Sequence, residues 1–382
     1  MAKIGMNMER IKKENRSLIL SYINDVGPVS RKDIALNTGL TAASVTQITT
    51  VLLAKGLLKE LGTVSAPTGT AGRKKVLLDI NENADFVYSV NIESEETNVA
   101  VCNLKGEAVA LTRFPTNKEV SPEAFLRTVA HTCLSLKADL SKEIADKISC
   151  VSVGIPGLVD TDKGVSLHAY GIWDEEVDVA GLLGNSLNLP VMLENNVDAF
   201  ATAELLFGIG RTQDILLLIK WGPGVGSTIV INNNVYKGRH GKTAELGHYI
   251  VDKNGLKCSC GRTGCLETKL SYSALKQIVE FSPDTFGMAY ESSSPDIRAR
   301  IDEAIDLFAR SIVNTGTILA PNRFVLSGSL FRSNLIREKL INACKAYDPA
   351  YHEKRILYTT LSDRESYIGP AAVYTWHLLF PT

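Results

Sequence analysis

The sequence contains no run of about 18 apolar residues, which excludes a transmembrane helix. Its opening stretch, MAKIGMNMERIKKENRS, lacks the apolar segment of a secretory signal, so a cytoplasmic protein is expected. Net charge is nearly absent: 41 Lys+Arg against 42 Asp+Glu leaves −1. Cysteine is sparse, seven in 382 residues. Four of them, Cys102, Cys133, Cys150 and Cys344, are scattered among apolar residues, as buried reduced thiols are. What is present is ordinary for a soluble globular protein: 45% apolar and 22% charged residues, and a length that suits two or three domains.

The small net charge hides an asymmetry. Residues 1–80 carry 12 Lys+Arg and 6 Asp+Glu, a balance of +6; the remainder carries 29 and 36, a balance of −7. A basic segment on an acidic body suggests an anionic partner for the first segment alone. ERIKKENRSLILSYIND (9–25) spaces Ile11, Leu18, Ile19 and Ile23 as one face of a helix. Ser30 is placed to cap a short helix that Gly39 closes, and Thr41 to cap a third that ends at Gly56. Val45, Ile48 and Leu52 make the inward stripe of that third helix. Ala43, Ser44, Gln47 and Thr50 face out, short or polar, with no carboxylate to repel phosphates. Two helices joined at a Gly turn form a helix-turn-helix, whose second helix can enter a major groove and meet base edges. The stretch 57–80 then reads as a β-hairpin wing with Arg73, Lys74 and Lys75 at its tip, for phosphates or the minor groove. Double-stranded DNA is the expected partner.

From about Phe86 the pattern changes to α/β. FVYSVNI, TNVAVCNL and GEAVALTRF read as strands, followed by a helix around residues 122–140. ISCVSVGIPGLVD and PVMLENNVDAFATAELLFG are strands running into a Pro-Gly loop and into a helix. The theme restarts with DILLLIKWGPGVGSTIVINNNVYKG, helices near 271–280 and 298–319, and the strand RFVLSG. Two halves of similar order indicate a bilobal body with a ligand cleft between lobes.

His248, Cys258, Cys260 and Cys265 lie within ELGHYIVDKNGLKCSCGRTGCLE, and they are read as one set. One histidine and three cysteines suit a four-coordinate zinc site, and Gly261 and Gly264 let the chain turn tightly between close ligands. A disulfide is disfavoured in a reducing compartment, and three cysteines cannot all pair.

Through GIPGLVD, LENNVDAFATAE, ELGH and CSCGRTGCLE, the chain resembles the ROK family of repressors and sugar kinases over nearly its whole length. The resemblance implies a winged helix-turn-helix (1–80) before a bilobal actin-like, ribonuclease H-like sugar-kinase body. The expected lobes are 81–195, with the C-terminal helix 365–382 packing back on it, and 196–364, which holds the zinc. All four ligand positions match the family's structural zinc, leaving no place for an activated water. The resemblance also implies that Glu245 and Glu267 hold sugar hydroxyls, with His248 bridging pocket and metal. Asn195 and Asn196 would reach further hydroxyls, Gly157 would line the floor and Trp173 would stack on the ring.

Kinase chemistry is expected to be lost. The family's Glu-Asn-Asp, whose aspartate is the general base, is here Glu194-Asn195-Asn196, and an amide cannot accept the proton. Asp198, two residues on, points about 200° away if helical. The phosphate loop Asp-x-Gly-Gly-Thr is replaced by Asn91 followed by Glu93, Ser94, Glu95 and Glu96, three carboxylates facing any triphosphate. The Gly-rich turn 221–227 and LSGS (326–329) survive. These residues favour a sugar-responsive repressor acting as a homodimer or tetramer on operator DNA, with no membrane association. Two rivals stand beside it: an active sugar kinase with an accessory DNA-binding domain, and a regulator controlled by a protein partner.

Overall fold

A computed structural model describes residues 8–64, 75–212, 215–238, 244–351 and 354–380. Arg73 and Lys74 lie outside the described residues. The head begins with α1 (Met8–Val26), β1 (Val29–Ser30), α2 (Arg31–Thr38) and α3 (Ala42–Ala54). Ser30 and Thr41 are the caps of α2 and α3; their hydroxyls accept from Asp33 N at 3.3 Å and Ser44 N at 3.2 Å. Gly39 ends α2 in the left-handed region at φ 71°. The antiparallel strands β2 (Leu58–Val64) and β3 (Lys75–Ile80) form the stem of the wing, and β1 extends them into a three-stranded sheet.

The body is built twice from one plan. Its first half runs β4 (Phe86–Ile92), β5 (Glu96–Asn103), β6 (Ala108–Pro115), α4 (Pro122–Ala138), α5 (Lys142–Ala145) and β7 (Ile148–Ile155). The short β8 (Leu158–Asp160), β9 (Val165–His168) and β10 (Val177–Asp178) make a small sheet of their own. Next come α6 (Val179–Leu187), β11 (Val191–Asn195) and α7 (Asn196–Phe207). The second half runs β12 (Ile215–Trp221), β13 (Val225–Ile231), β14 (Asn234–Val235), α8 (Glu267–Leu270), α9 (Tyr272–Lys276), α10 (Phe286–Ser292), α11 (Pro295–Leu319), β15 (Arg323–Ser327), α12 (Asn334–Tyr347) and β16 (Ile356–Tyr358). The closing helix is α13 (Ile368–Leu379). The two five-stranded sheets, β6-β5-β4-β7-β11 and β14-β13-β12-β15-β16, share one order: an antiparallel meander, then two parallel strands added on the other side of its first strand. Strands β4 and β5 are buried along nearly their whole length, as strands covered on both faces must be.

The C-terminal α13 returns to pack on α7, β4 and β7. Helix α7 also touches β13 and β14, so it belongs to the packing of both halves. One apolar cluster runs without a break from Ile19, Leu20 and Ile23 of α1 through Leu205 and Leu206 of α7 to Ile368 and Ala372 of α13. The head is therefore docked on the body. Polar contacts fix its orientation: Asn24 Nδ2 donates to Leu206 O at 2.6 Å, and Arg211 Nη1 donates to Asn24 O at 3.2 Å and to Asp25 Oδ1 at 3.1 Å. Arg16 Nη2 donates to Leu378 O at 3.1 Å, and Lys105 pairs with Asp79 at 2.8 Å.

Two expectations for the head are corrected. Leu18 is 44% exposed while Leu20 is fully buried, because α1 buries a wide face against two partners, the head and α7, and the second partner claims Leu20. Ser44 is half-buried, and its Oγ lies 2.9 Å from Thr41 Oγ1, so its hydroxyl serves the cap. Ala43, Gln47 and Thr50 are exposed. Among the described residues no helix is long and apolar enough to cross a membrane.

Leu20→Ala should destabilise the protein by about 2–5 kcal/mol, the cost of a large-to-small change in a filled core, whereas Leu18→Ala should change stability by less than about 0.5 kcal/mol. Denaturant midpoints of the two variants check this.

Candidate functional site

The deepest cleft of the body lies where β11 meets α7 and where the β12–β13 turn faces the His/Cys segment. It has a volume of about 450 Å³. Asn195 closes β11 and caps α7: its Oδ1 accepts from Val197 N at 2.8 Å and Asp198 N at 3.2 Å, and its Nδ2 donates to Gly157 O at 2.9 Å. Most of that amide is thus spent on holding the cleft floor. Asn196 lines the cleft beside it, and its side chain makes no hydrogen bond to another described residue. Gly157 also lines the cleft. At φ 91°, with a Cβ that would stand 2.1 Å from His168 O, only glycine suits that place.

Glu245 precedes a single 3₁₀ turn, Leu246–His248, and its Oε2 lies 3.4 Å from His248 Nε2. The other ring nitrogen, Nδ1, lies 3.5 Å from Cys258 Sγ, and Cys260 Sγ lies 3.7 Å from Cys265 Sγ. The four candidate ligand atoms lie within 4.8 Å of one another. A bond of about 2.05 Å would mark a disulfide, so 3.7 Å is not one. The edge of a tetrahedron whose metal–sulfur bonds are about 2.3 Å is about 3.8 Å, which fits this spacing. The cluster can hold a metal ion. With Nδ1 toward the sulfurs, Nε2 is left to bond Glu245, the carboxylate–histidine–metal relay that orients a ligand. The knuckle depends on Gly264, where φ is 74° and a Cβ would fall 1.5 Å from Asp252 O.

Glu267 opens α8, and its Oε2 accepts from Val225 N at 3.0 Å. Burial raises its pKa, Val225 opposes this, and the nearby Glu245 carboxylate adds to the rise. Glu245, His248 and Glu267 all line the cleft. The opposite wall carries Tyr170, which the sequence reasoning missed. Its ring stands edge-on to His248, centroids 5.1 Å apart at 83°. Trp173 does not take the expected role. It is buried, its Nε1 donates to Ser166 Oγ at 3.1 Å, and its ring packs on Phe125. A loop aromatic serves core or pocket according to the sheet beneath it, and in HAYGIW three residues decide between Tyr170 and Trp173.

The far side of the cleft also departs from expectation. Glu93 and Glu95 line it, but Glu96 does not: it starts β5 and faces Arg113 on β6 at 3.8 Å. Glu93 is ion-paired with Lys220 of β12, which also lies 3.7 Å from Glu365. Burial pulls the Lys220 pKa down, but the two carboxylates outweigh it and hold the ammonium charged. The repulsion expected from three free carboxylates is therefore smaller. Asn91 is buried and donates to Glu93 Oε1 at 3.3 Å. Behind the cleft, Glu194 pairs with Lys237, and the Asp198 carboxyl is pushed up to about 7, first by burial and then by Glu194.

A winged head rigidly docked on a duplicated sugar-kinase-like body, with a cleft of carboxylates and amides beside a His/Cys₃ knuckle, defines the class. The chain belongs to the ROK family, whose model matches residues 87–376. It is 24% identical to the xylose repressor of Bacillus subtilis, the match covering 97% of each chain. A solved ROK family transcriptional regulator, described as a homologue of the Escherichia coli MLC protein, superposes with a TM-score of 0.77 at 24% identity, covering 97% of this chain and 98% of that one. A ROK family glucokinase from Streptomyces griseus, solved with glucose and AMPPNP, superposes with a TM-score of 0.64 at 21% identity, covering 75% of this chain and 98% of that one. These structural likenesses establish the fold, which regulator and kinase share.

The raised Asp198 pKa has a consequence for stability. A buried acid that stays protonated to about pH 7, against 3.8 unfolded, contributes stability that is full below about pH 4 and is lost as pH rises to about 7. Asp198→Asn should remove that loss, so its gain in melting temperature over the parent should be larger at pH 8 than at pH 5. Melting curves at the two pH values check it.

Proposed function

We propose that this protein is a sugar-responsive transcriptional repressor that has lost kinase chemistry. The observation that carries the reading is the continuity of the molecule. The helix that starts at the cleft floor with Asn195 ends on the helix-turn-helix head, where Leu206 O and Arg211 grip Asn24 and Asp25. The full-length match to a named xylose repressor supports it.

Glu245 and Glu267 accept sugar hydroxyls, Asn196 and Asn195 meet others, His248 joins pocket to knuckle, and Gly157 keeps the floor open. The knuckle ligands His248, Cys258, Cys260 and Cys265 would hold a structural zinc, which supplies rigidity and no reactive water. Phosphoryl transfer lacks its base, because an amide at Asn196 takes no proton from a hydroxyl. On the DNA side, Ala43 and Gln47 of α3 face the major groove, with Ser44 at the helix start. Arg73 and Lys74 of the wing meet phosphates. An even-numbered homo-oligomer, a dimer or tetramer, matches a palindromic operator. Sugar stabilises one arrangement of the lobes, and α7 passes that preference to the head.

Purified protein should contain about one zinc per chain. It should bind its operator with an affinity that a sugar changes by about 5–150-fold, and it should turn over no sugar with ATP and Mg²⁺. Sugar-dependent ATP turnover abolished by Glu245→Ala would instead establish the kinase. Arg73→Ala should weaken binding to operator and unrelated DNA alike and flatten its salt dependence. Asn24→Ala combined with Arg211→Ala should leave sugar binding and DNA binding in place while removing the effect of one on the other. Calorimetry and gel shifts read the two halves separately, and an unchanged coupling would exclude α7 as the route.

A further inference from the structure

The cleft is larger than the sugar corner requires. Its volume of about 450 Å³ falls in the range of about 300–1,000 Å³ that takes drug-sized ligands, more than one sugar ring fills. Gly157, Asn195, Glu245 and Glu267 occupy one end. The other end is lined by Ser94, Ser271, Ser273 and Gln277 around the head of α9 and by Lys220 on β12.

Three kinds of group can fill that second end, and the side chains discriminate between them. A phosphate chain needs free backbone N–H groups and an uncommitted cation. The Gly-rich turn has spent two N–H groups inside the protein: Val225 N donates to Glu267 Oε2 at 3.0 Å, and Gly222 N donates to Gly224 O at 2.9 Å. Lys220 is held between Glu93 and Glu365, and Glu95 adds a further negative charge on the same side. The glycines of this turn serve packing: a Cβ at Gly224 would stand 2.5 Å from Glu267 Oε2, and one at Gly226 would stand 2.4 Å from Val197 Cγ2. An apolar group fits no better, since hydroxyls and an amide dominate the α9 side. A second hydroxylated ring suits it. Serine hydroxyls and the Gln277 amide both donate and accept, as sugar hydroxyls do, and the Gln277 side chain makes no hydrogen bond to another described residue.

We infer that the effector is a glycoside of at least two sugar units, the first held by Glu245 and Glu267 and the second lying along Ser273 and Gln277. This rests on the sugar-sensor reading and narrows its ligand class.

Titration calorimetry on the full-length protein tests it, using D-xylose, D-glucose, xylobiose, cellobiose and maltose, with AMPPNP and Mg²⁺ as the nucleotide probe. One disaccharide should bind about tenfold tighter, or better, than the monosaccharide it is built from. Ser273→Ala combined with Gln277→Ala, both at exposed positions, should bring that disaccharide down to the monosaccharide's affinity while leaving the monosaccharide unchanged. The inference falls, with the sugar sensor intact, if a monosaccharide binds and no disaccharide binds tighter. It falls equally if the double variant weakens both by the same factor, or if AMPPNP with Mg²⁺ binds and displaces the disaccharide. Binding of no sugar of either length overturns the sensor reading and the inference together.

Discussion

The burial of α7 is the constraint on which the rest of the molecule depends. Val197, Ala199, Phe200, Ala201, Ala203, Glu204, Leu205 and Leu206 are all buried, so the helix is enclosed around most of its circumference. One face meets α13 and the first sheet, another meets β13 and β14, and its last turn meets α1. Helices enclosed in this way do not tilt freely, because close-packed interiors tolerate little change of volume. A displacement at either end is carried to the other. Even the one buried charge-bearing side chain of the helix is committed: Glu204 bonds Ile209 N at 3.0 Å and pairs with Thr359.

The cleft is then two walls hung on this helix. Asn195 caps α7 and grips Gly157, so the floor and the helix start move as one. Glu245 and Glu267 come from the other wall, and each is tied down: one faces His248 of the knuckle, the other bonds the β12–β13 turn. Carboxylates fixed before a ligand arrives lose little entropy on binding, which is what a selective hydroxyl-reading site needs.

The same geometry separates recognition from phosphoryl transfer. A fold shared with kinases carries no chemistry by itself; the residues at the reacting positions do. Here the base position holds Asn196, the glycine turn is consumed by Glu267, and the buried cation Lys220 is neutralised from two sides. The balance against a triphosphate therefore comes from committed donors and an engaged cation more than from the free acidic run that the sequence suggests.

Much was legible in the sequence because it was local. The caps Ser30 and Thr41, the left-handed Gly39 and the His/Cys₃ set all lie within a few residues of the groups they serve, and local geometry follows from residue type and spacing. The two β-meanders were legible from their alternation of strands and turns. What the sequence by itself determined is thus the class of protein, the identity of the cluster and the order of the elements. Tertiary structure alone decided that Leu20 and not Leu18 is core, that Tyr170 and not Trp173 faces the ligand, that Ser44 serves a cap and that Glu96 turns away from the cleft. It also decided that α7 joins cleft and head. The physical reason is common to all of these. Each outcome is set by a partner far away in the chain, such as α7 for Leu20, the knuckle for Tyr170 or β6 for Glu96, and no local pattern records which distant surface a side chain will meet.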